Sequence, residues 1–212
     1  MKSSLCSRSG SCLLTLLMAA NVAAETPSAN EHFEYSTQAV ISDFALEGGR
    51  GVIGVNIVAG DSNAQLNARA LAVSVGQGVH ASALIKASQH VDFLGGGPDS
   101  AVSLIGGNAF SNASGLISIN HASGAGNAQL NDIAIGIAIG GVALTESELD
   151  LTVTGQPVSQ LSQGGGPQHR EAMISESAFN GTSGVVQINQ LAGSGNATSN
   201  SFGLNVSLGA EE

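Results

Sequence analysis

Nine asparagines recur at fixed spacing in this 212-residue chain, and their side chains could do one kind of chemistry repeatedly. A primary amide donates and accepts, so amides stacked in register can hydrogen-bond to one another along a column. Three 17-residue segments carry them, opening at Gly51, Gly115 and Gly184. Asparagine stands at offsets 5, 12 and 16 in each: Asn56, Asn63 and Asn67, then Asn120, Asn127 and Asn131, then Asn189, Asn196 and Asn200. Offset 9 is always glycine, and offset 14 holds Gln65, Gln129 and Thr198. Turn chemistry accounts for the glycines and for the middle asparagine of each copy, since both residues favour loops. It does not account for Asn56, Asn120 and Asn189, which interrupt β-branched runs where asparagine is normally depleted. Equivalent strands stacked in parallel would place Asn56 with Asn120 and Asn189, Asn63 with Asn127 and Asn196, and Asn67 with Asn131 and Asn200. Gln65 and Gln129 would meet Thr198.

The elements that must position these amides read as β structure. Val52–Val58 and Leu116–Asn120 are rich in β-branched residues and bounded by glycine. Gly60–Asn63 and Gly124–Asn127 have turn composition, and the segments from Gln65 and Gln129 onward alternate polar and apolar residues. Each copy is therefore strand, turn, strand. Phe44, Phe110 and Phe179 mark a short preceding strand and are expected as core anchors, one per layer, with a longer phenylalanine-to-glycine loop in the first copy. One such unit is marginal in water, and stacking lets each cover its neighbour's edge. The fold class is all-β: a short β-solenoid of three stacked strand-turn-strand repeats in parallel, in-register pairing, joined by flexible linkers. The expected division is a segment 25–37, repeats over 38–70, 98–135 and 168–208, linkers over 71–97 and 136–167, and an acidic tail at 209–212. The linkers lack the asparagine register and are either loops or extra strands beside the stack. Gly95–Pro98 and Gly164–Pro167 read as flexible breaks.

Residues 1–24 read as a secretory signal peptide: a basic start at Lys2 and Arg8, an apolar run Leu13–Ala20, and small residues before Ala24. No later segment has the roughly 20 apolar residues that a membrane-spanning helix needs, so no membrane insertion is expected. Both cysteines, Cys6 and Cys12, lie in the leader, so the exported chain would hold together without disulfides. Two of the six basic residues precede residue 24, which leaves four against 16 acids, a net −12. That charge keeps a chain of small apolar residues soluble and lacks the basic footprint of a nucleic-acid partner. Aromatic residues make up only 3 %, too few for the thick core of a compact enzyme of this length.

Motifs for catalysis or cofactors are weak. His32, His80, His90, His121 and His169 show no metal-ligand spacing, and His121, within a repeat strand, reads as an outward polar residue. Asp61–Gln65 lacks the several carboxylates of a calcium loop. The Gly-Gly-Gly-Pro runs are not followed by the lysine of a phosphate loop. Glu146, Glu148 and Asp150 lie in a linker, a weak signal for a paired-carboxylate site. No enzyme, metal or cofactor is expected.

The segments Gly54-Val-Asn56-Ile-Val-Ala-Gly60-Asp-Ser-Asn63-Ala-Gln65-Leu-Asn67-Ala and Ile119-Asn-His-Ala-Ser-Gly-Ala-Gly-Asn127-Ala-Gln-Leu-Asn131 resemble the repeats of the Fap functional amyloids of pseudomonads. The layout of three repeats and two linkers is similar too, over about residues 38–208. The resemblance implies a secreted subunit that polymerises with itself and with related fibril subunits at the cell surface, strengthens biofilm, and leaves through a dedicated outer-membrane pore. The family's major subunit typically carries Cys-x-x-Cys near its C-terminus, whereas this sequence ends Ser207-Leu-Gly-Ala-Glu-Glu212. Its short linkers are closer to the minor, nucleating subunit. A monomeric β-solenoid adhesin, or matrix- or carbohydrate-binding protein, is the alternative reading of the same flat, repetitive faces.

Overall fold

The computed structural model describes residues 34–77, 79–92, 95–140, 149–155 and 169–209; the expected signal peptide and the second Gly-Gly-Gly-Pro run lie outside the described residues. The described chain is all-β, with eleven strands: β1 Ser36–Ile41, β2 Arg50–Ala59, β3 Ala64–Val75, β4 Ile85–Val91, β5 Ser100–Ile105, β6 Ser114–Ser123, β7 Ala128–Ile139, β8 Leu149–Gly155, β9 His169–Ile174, β10 Ser183–Ala192 and β11 Ala197–Leu208. They form a short β-solenoid-like stack of open, parallel sheets. Strands β1–β3 make layer one, β5–β7 layer two and β9–β11 layer three. Three sheets run across the layers, ordered β1-β5-β9, β2-β6-β10 and β3-β7-β11. Both linkers contribute a strand as well: β4 pairs with β8 in parallel, Ile85 beside Leu149, as a two-stranded fourth sheet.

Register is exact in residue type where the amides lie. Asn56 pairs with Asn120 and Asn189, and Asn67 with Asn131 and Asn200. The strands reach beyond the 17-residue pattern, with β3, β7 and β11 ending at Val75, Ile139 and Leu208. The four sheets lie face to face in chain order, the β1 sheet on the β2 sheet, then the β3 sheet, then the β4 sheet. Only the first interface is a conventional apolar core, built from Ile105, Phe110, Ile117 and Ile119 with their layer neighbours. The last is thin and alanine-rich, with Ala83, Ile85 and Ala134 at its centre.

Glycine at offset 9 is a stacking requirement. Gly124 has φ +128, and a Cβ there would run into the carbonyl oxygen of Gly193 in the next layer. Layers about 4.8 Å apart leave no room for it.

One expected core position is corrected. Phe44 is 65 % exposed, whereas Phe110 is fully buried. Phe110 and Phe179 stack with ring centroids 5.0 Å apart, and the layer-one member of their column is Leu46. The backbone sets this register: Phe110 N–H donates to Ala45 at 2.8 Å and Ser114 N–H to Gly49 at 2.8 Å. Leu46, Phe110 and Phe179 share positive φ values of 57, 59 and 60°, so the chain turns alike at this point in all three layers and the first loop is not longer. Matching by residue type rather than by spacing puts Phe44 in the wrong column.

Replacing Phe110 by alanine should cost about 3–5 kcal/mol, as for other fully buried aromatics, whereas Phe44→Ala should change stability by less than about 0.5 kcal/mol. Guanidinium midpoints of the folded chain would separate the two.

Candidate functional site

The β2-β6-β10 sheet meets the β3-β7-β11 sheet through side-chain amides. Alternation of side chains along a strand sends Asn56, Asn120 and Asn189 toward the facing sheet, and Asn67, Asn131 and Asn200 back toward them. Within each layer the offset-16 amide donates to the offset-5 oxygen: Asn67 to Asn56 at 2.8 Å, Asn131 to Asn120 at 2.9 Å, Asn200 to Asn189 at 3.0 Å. The same nitrogens reach the backbone carbonyls of Val55, Ile119 and Ile188.

Between layers the amides also bond to one another. Asn120 donates to Asn56 at 3.0 Å and Asn189 to Asn120 at 3.0 Å. Asn131 donates to Asn67 at 3.1 Å and Asn200 to Asn131 at 3.0 Å. In layer two the cluster is sealed, with Asn120 and Asn131 both fully buried. Its direction is uniform, since every interlayer bond of this pair of columns donates toward layer one. Layer one therefore ends in the exposed amide of Asn56, and layer three in the Oδ1 acceptor of Asn200.

The turn asparagines form a separate column at the corner. Asn63 Oδ1 accepts from both the backbone N–H and the side chain of Asn127, each at 2.9 Å. Asn127 Oδ1 accepts from Asn196 in the same two ways, at 3.2 and 2.9 Å. Gln65 donates to Gln129 at 2.6 Å, and Gln129 reaches the carbonyl of Asn189 at 3.1 Å. This column stops at layer three, where the shorter Thr198 leaves its hydroxyl buried without a partner. The structure thus brings the eleven sequence-identified amides into four columns, two of them fused into one zipper.

Two buried ionisable residues were not legible as such. His121 does not face outward; it is fully buried, and its Nδ1 lies 2.7 Å from the Ser103 hydroxyl while Nε2 has no partner. Burial lowers its pKa to about 4. Asp132 is fully buried on the other side of the amide zipper, with the Ser201 side chain of the next layer near its carboxylate. Desolvation pushes its pKa up, with Ser201 of the next layer offsetting part of the rise. Their layer partners are Ile57 and Gln190 for His121, and Ala68 and Ser201 for Asp132, so neither belongs to a repeated column.

A continuous ladder of buried amides across three in-register layers is the hydrogen-bonding pattern of stacked amyloid chains. The description of the functional amyloid protein FapB/FapC family matches residues 18–207. The chain belongs to this family. No solved structure matches it. In this FapB/FapC-family chain two sheets meet through an extended interface of side-chain amides. Among the described residues, no three of His, Cys, Asp or Glu come together as a metal site.

Two outcomes test this interface. Asn120→Asp removes donors to Asn56, Leu66 and Asn67 and places a charge in a sealed interface, which should cost about 3–5 kcal/mol at neutral pH. Denaturation midpoints should show a smaller loss for Asn56→Asp at the exposed end. Acid should also act through His121. Its folded pKa of about 4 lies below the unfolded value of about 6.5. Its stabilising effect is complete above about 6.5 and drains away as pH falls toward about 4, because the unfolded chain alone takes up the proton there. His121→Gln should flatten that part of the stability–pH curve. Asp132→Ser should raise stability near pH 7 by about 1–3 kcal/mol and much less in acid, where the carboxyl is protonated in both states.

Proposed function

We propose that this chain is a secreted structural subunit that assembles into amyloid fibrils at the cell surface and reinforces biofilm matrix. Its partners are further copies of itself and related fibril subunits, and its route outward is through the periplasm and an outer-membrane pore. It has no catalytic role. The short linkers favour a nucleating rather than a bulk subunit.

One observation carries the reading. The contact between layers one and two is repeated between layers two and three with the same register and the same asparagine columns. A third such contact needs only layer one of another copy set on layer three. The donor end at Asn56 then meets acceptors at Asn189 and Asn200, so addition is head-to-tail. Unpaired strand edges at both ends supply the backbone hydrogen bonds. At the layer-one end Gly51 has φ +103 and open space where a Cβ would project; its equivalents Gly115 and Gly184 face the preceding layer's glycine carbonyl there.

Purified chain from residue 25 should form fibrils giving a meridional reflection at ~4.7–4.8 Å. Replacing Asn56, Asn120 and Asn189 together by leucine should abolish or greatly slow that conversion. A chain that stays soluble and monomeric for days, or fibrils indifferent to the triple substitution, would exclude the reading. If the soluble monomer instead bound glycans, the adhesin reading would stand.

A further inference from the structure

Strands β3, β7 and β11 have 12 residues, whereas the strands they face, β2, β6 and β10, have 10. Side-chain bonds fix how they lie against each other. Gln65 reaches the carbonyl of Ile57, Asn67 that of Val55, and Arg69 that of Ile53. Two steps forward on β3 are two steps back on β2, so Leu71 comes opposite Gly51. Beyond it, Val73 and Val75 have no β2 residue across from them, because β2 begins at Arg50.

The uncovered residues are all large and aliphatic. Leu71, Val73 and Val75 are 57, 66 and 72 % exposed. Leu204 and Leu208 are exposed in layer three, with Val206 between them half-buried. Layer two is decisive, since it has a neighbour on both sides. There Ala134, Gly136 and Ala138 on the other face are buried, yet Ile135 and Ile137 remain half-exposed and Ile139 exposed. The face is uncovered by design of strand length, not because it lies at an end of the stack. It carries no charge, in a chain of net −10.

We propose that two filaments of this chain pair sideways through this face, the aliphatic stripe of one seated on the same stripe of the other. The inference rests on the head-to-tail assembly proposed above. Its occupant follows from area and shape. Three side chains per strand at ~6.8 Å spacing and three layers at ~4.8 Å give a patch of roughly 200 Å² per copy. A stable interface needs about 800 Å² per partner, so a single copy cannot dimerise this way. Four or more stacked copies present a continuous stripe that can. In-register rows of Leu, Val and Ile form parallel ridges that interdigitate with an identical surface and exclude water. The net negative charge of each filament opposes pairing, so salt should promote it.

The test is electron microscopy of the full mature chain after assembly, counting single and paired filaments by length. Wild-type pairing should rise with filament length and with added salt between about 10 and 200 mM. A chain carrying Val73→Thr, Ile137→Thr and Val206→Thr keeps β-branched residues but loses apolar area on the middle column of the stripe. It should elongate within about twofold of the wild-type rate and form roughly tenfold fewer pairs. Wild-type filaments that stay single at every length and salt concentration overturn the proposal, whatever the variant does. A threonine variant that pairs like wild type overturns it too. Either failure leaves head-to-tail assembly standing, whereas a wild-type chain that forms no filaments removes both.

Discussion

A buried amide with an unmet donor or acceptor costs about 1–3 kcal/mol, so six asparagines can occupy the interface between two sheets only if every layer sits in the same register. That constraint shapes the rest of the molecule. It makes the pairing parallel, because antiparallel layers would not bring like residues together. It aligns the three corners, with shared positive φ at Leu46, Phe110 and Phe179. It requires glycine where adjacent layers approach most closely, as at Gly124 beneath Gly193. A slip of one residue would turn the asparagines outward and bury their aliphatic neighbours against amides.

The stack distributes its chemistry across three interfaces of different character. An apolar interface beside β1, β5 and β9 drives collapse, as any hydrophobic core does. The amide interface adds less net energy per bond but is intolerant of misalignment, and so supplies specificity. The alanine-rich interface under β4 and β8 is thin and holds Asp132, a carboxyl whose burial Ser201 offsets only in part. His121 and Asp132 respond to pH in opposite senses, so neutral pH favours the environment of one and strains that of the other. Both lie in layer two, sealed by neighbours above and below.

The columns of Asn56, Asn63 and Asn67 were legible because hydrogen-bonding side chains in parallel layers must repeat in kind, and repetition in kind is visible in a string of letters. The offset-9 glycines were legible for the same reason. Phe44 misled because a core column needs only apolar volume: Leu46 serves as well as phenylalanine, so identity of type is a poor guide there. The strands β4 and β8 were left open as loops or strands, since two layers without amides leave no repeated signature. His121 reads as outward in the sequence, and only the strand facing it shows it buried against Ser103.

From the sequence alone came the parallel three-layer plan, the amide columns and the absence of a repeated catalytic cluster, all consequences of spacing along one chain. Only the tertiary structure decided which sheet faces which. That choice joins offsets 5 and 16 into one zipper, buries His121 against Ser103, buries Asp132 beside the alanine-rich interface, and leaves the ends of β3, β7 and β11 bare. Facing relations depend on where the chain turns and how far each strand outruns its partner, and such lengths are set by packing in space rather than by the period of the repeat.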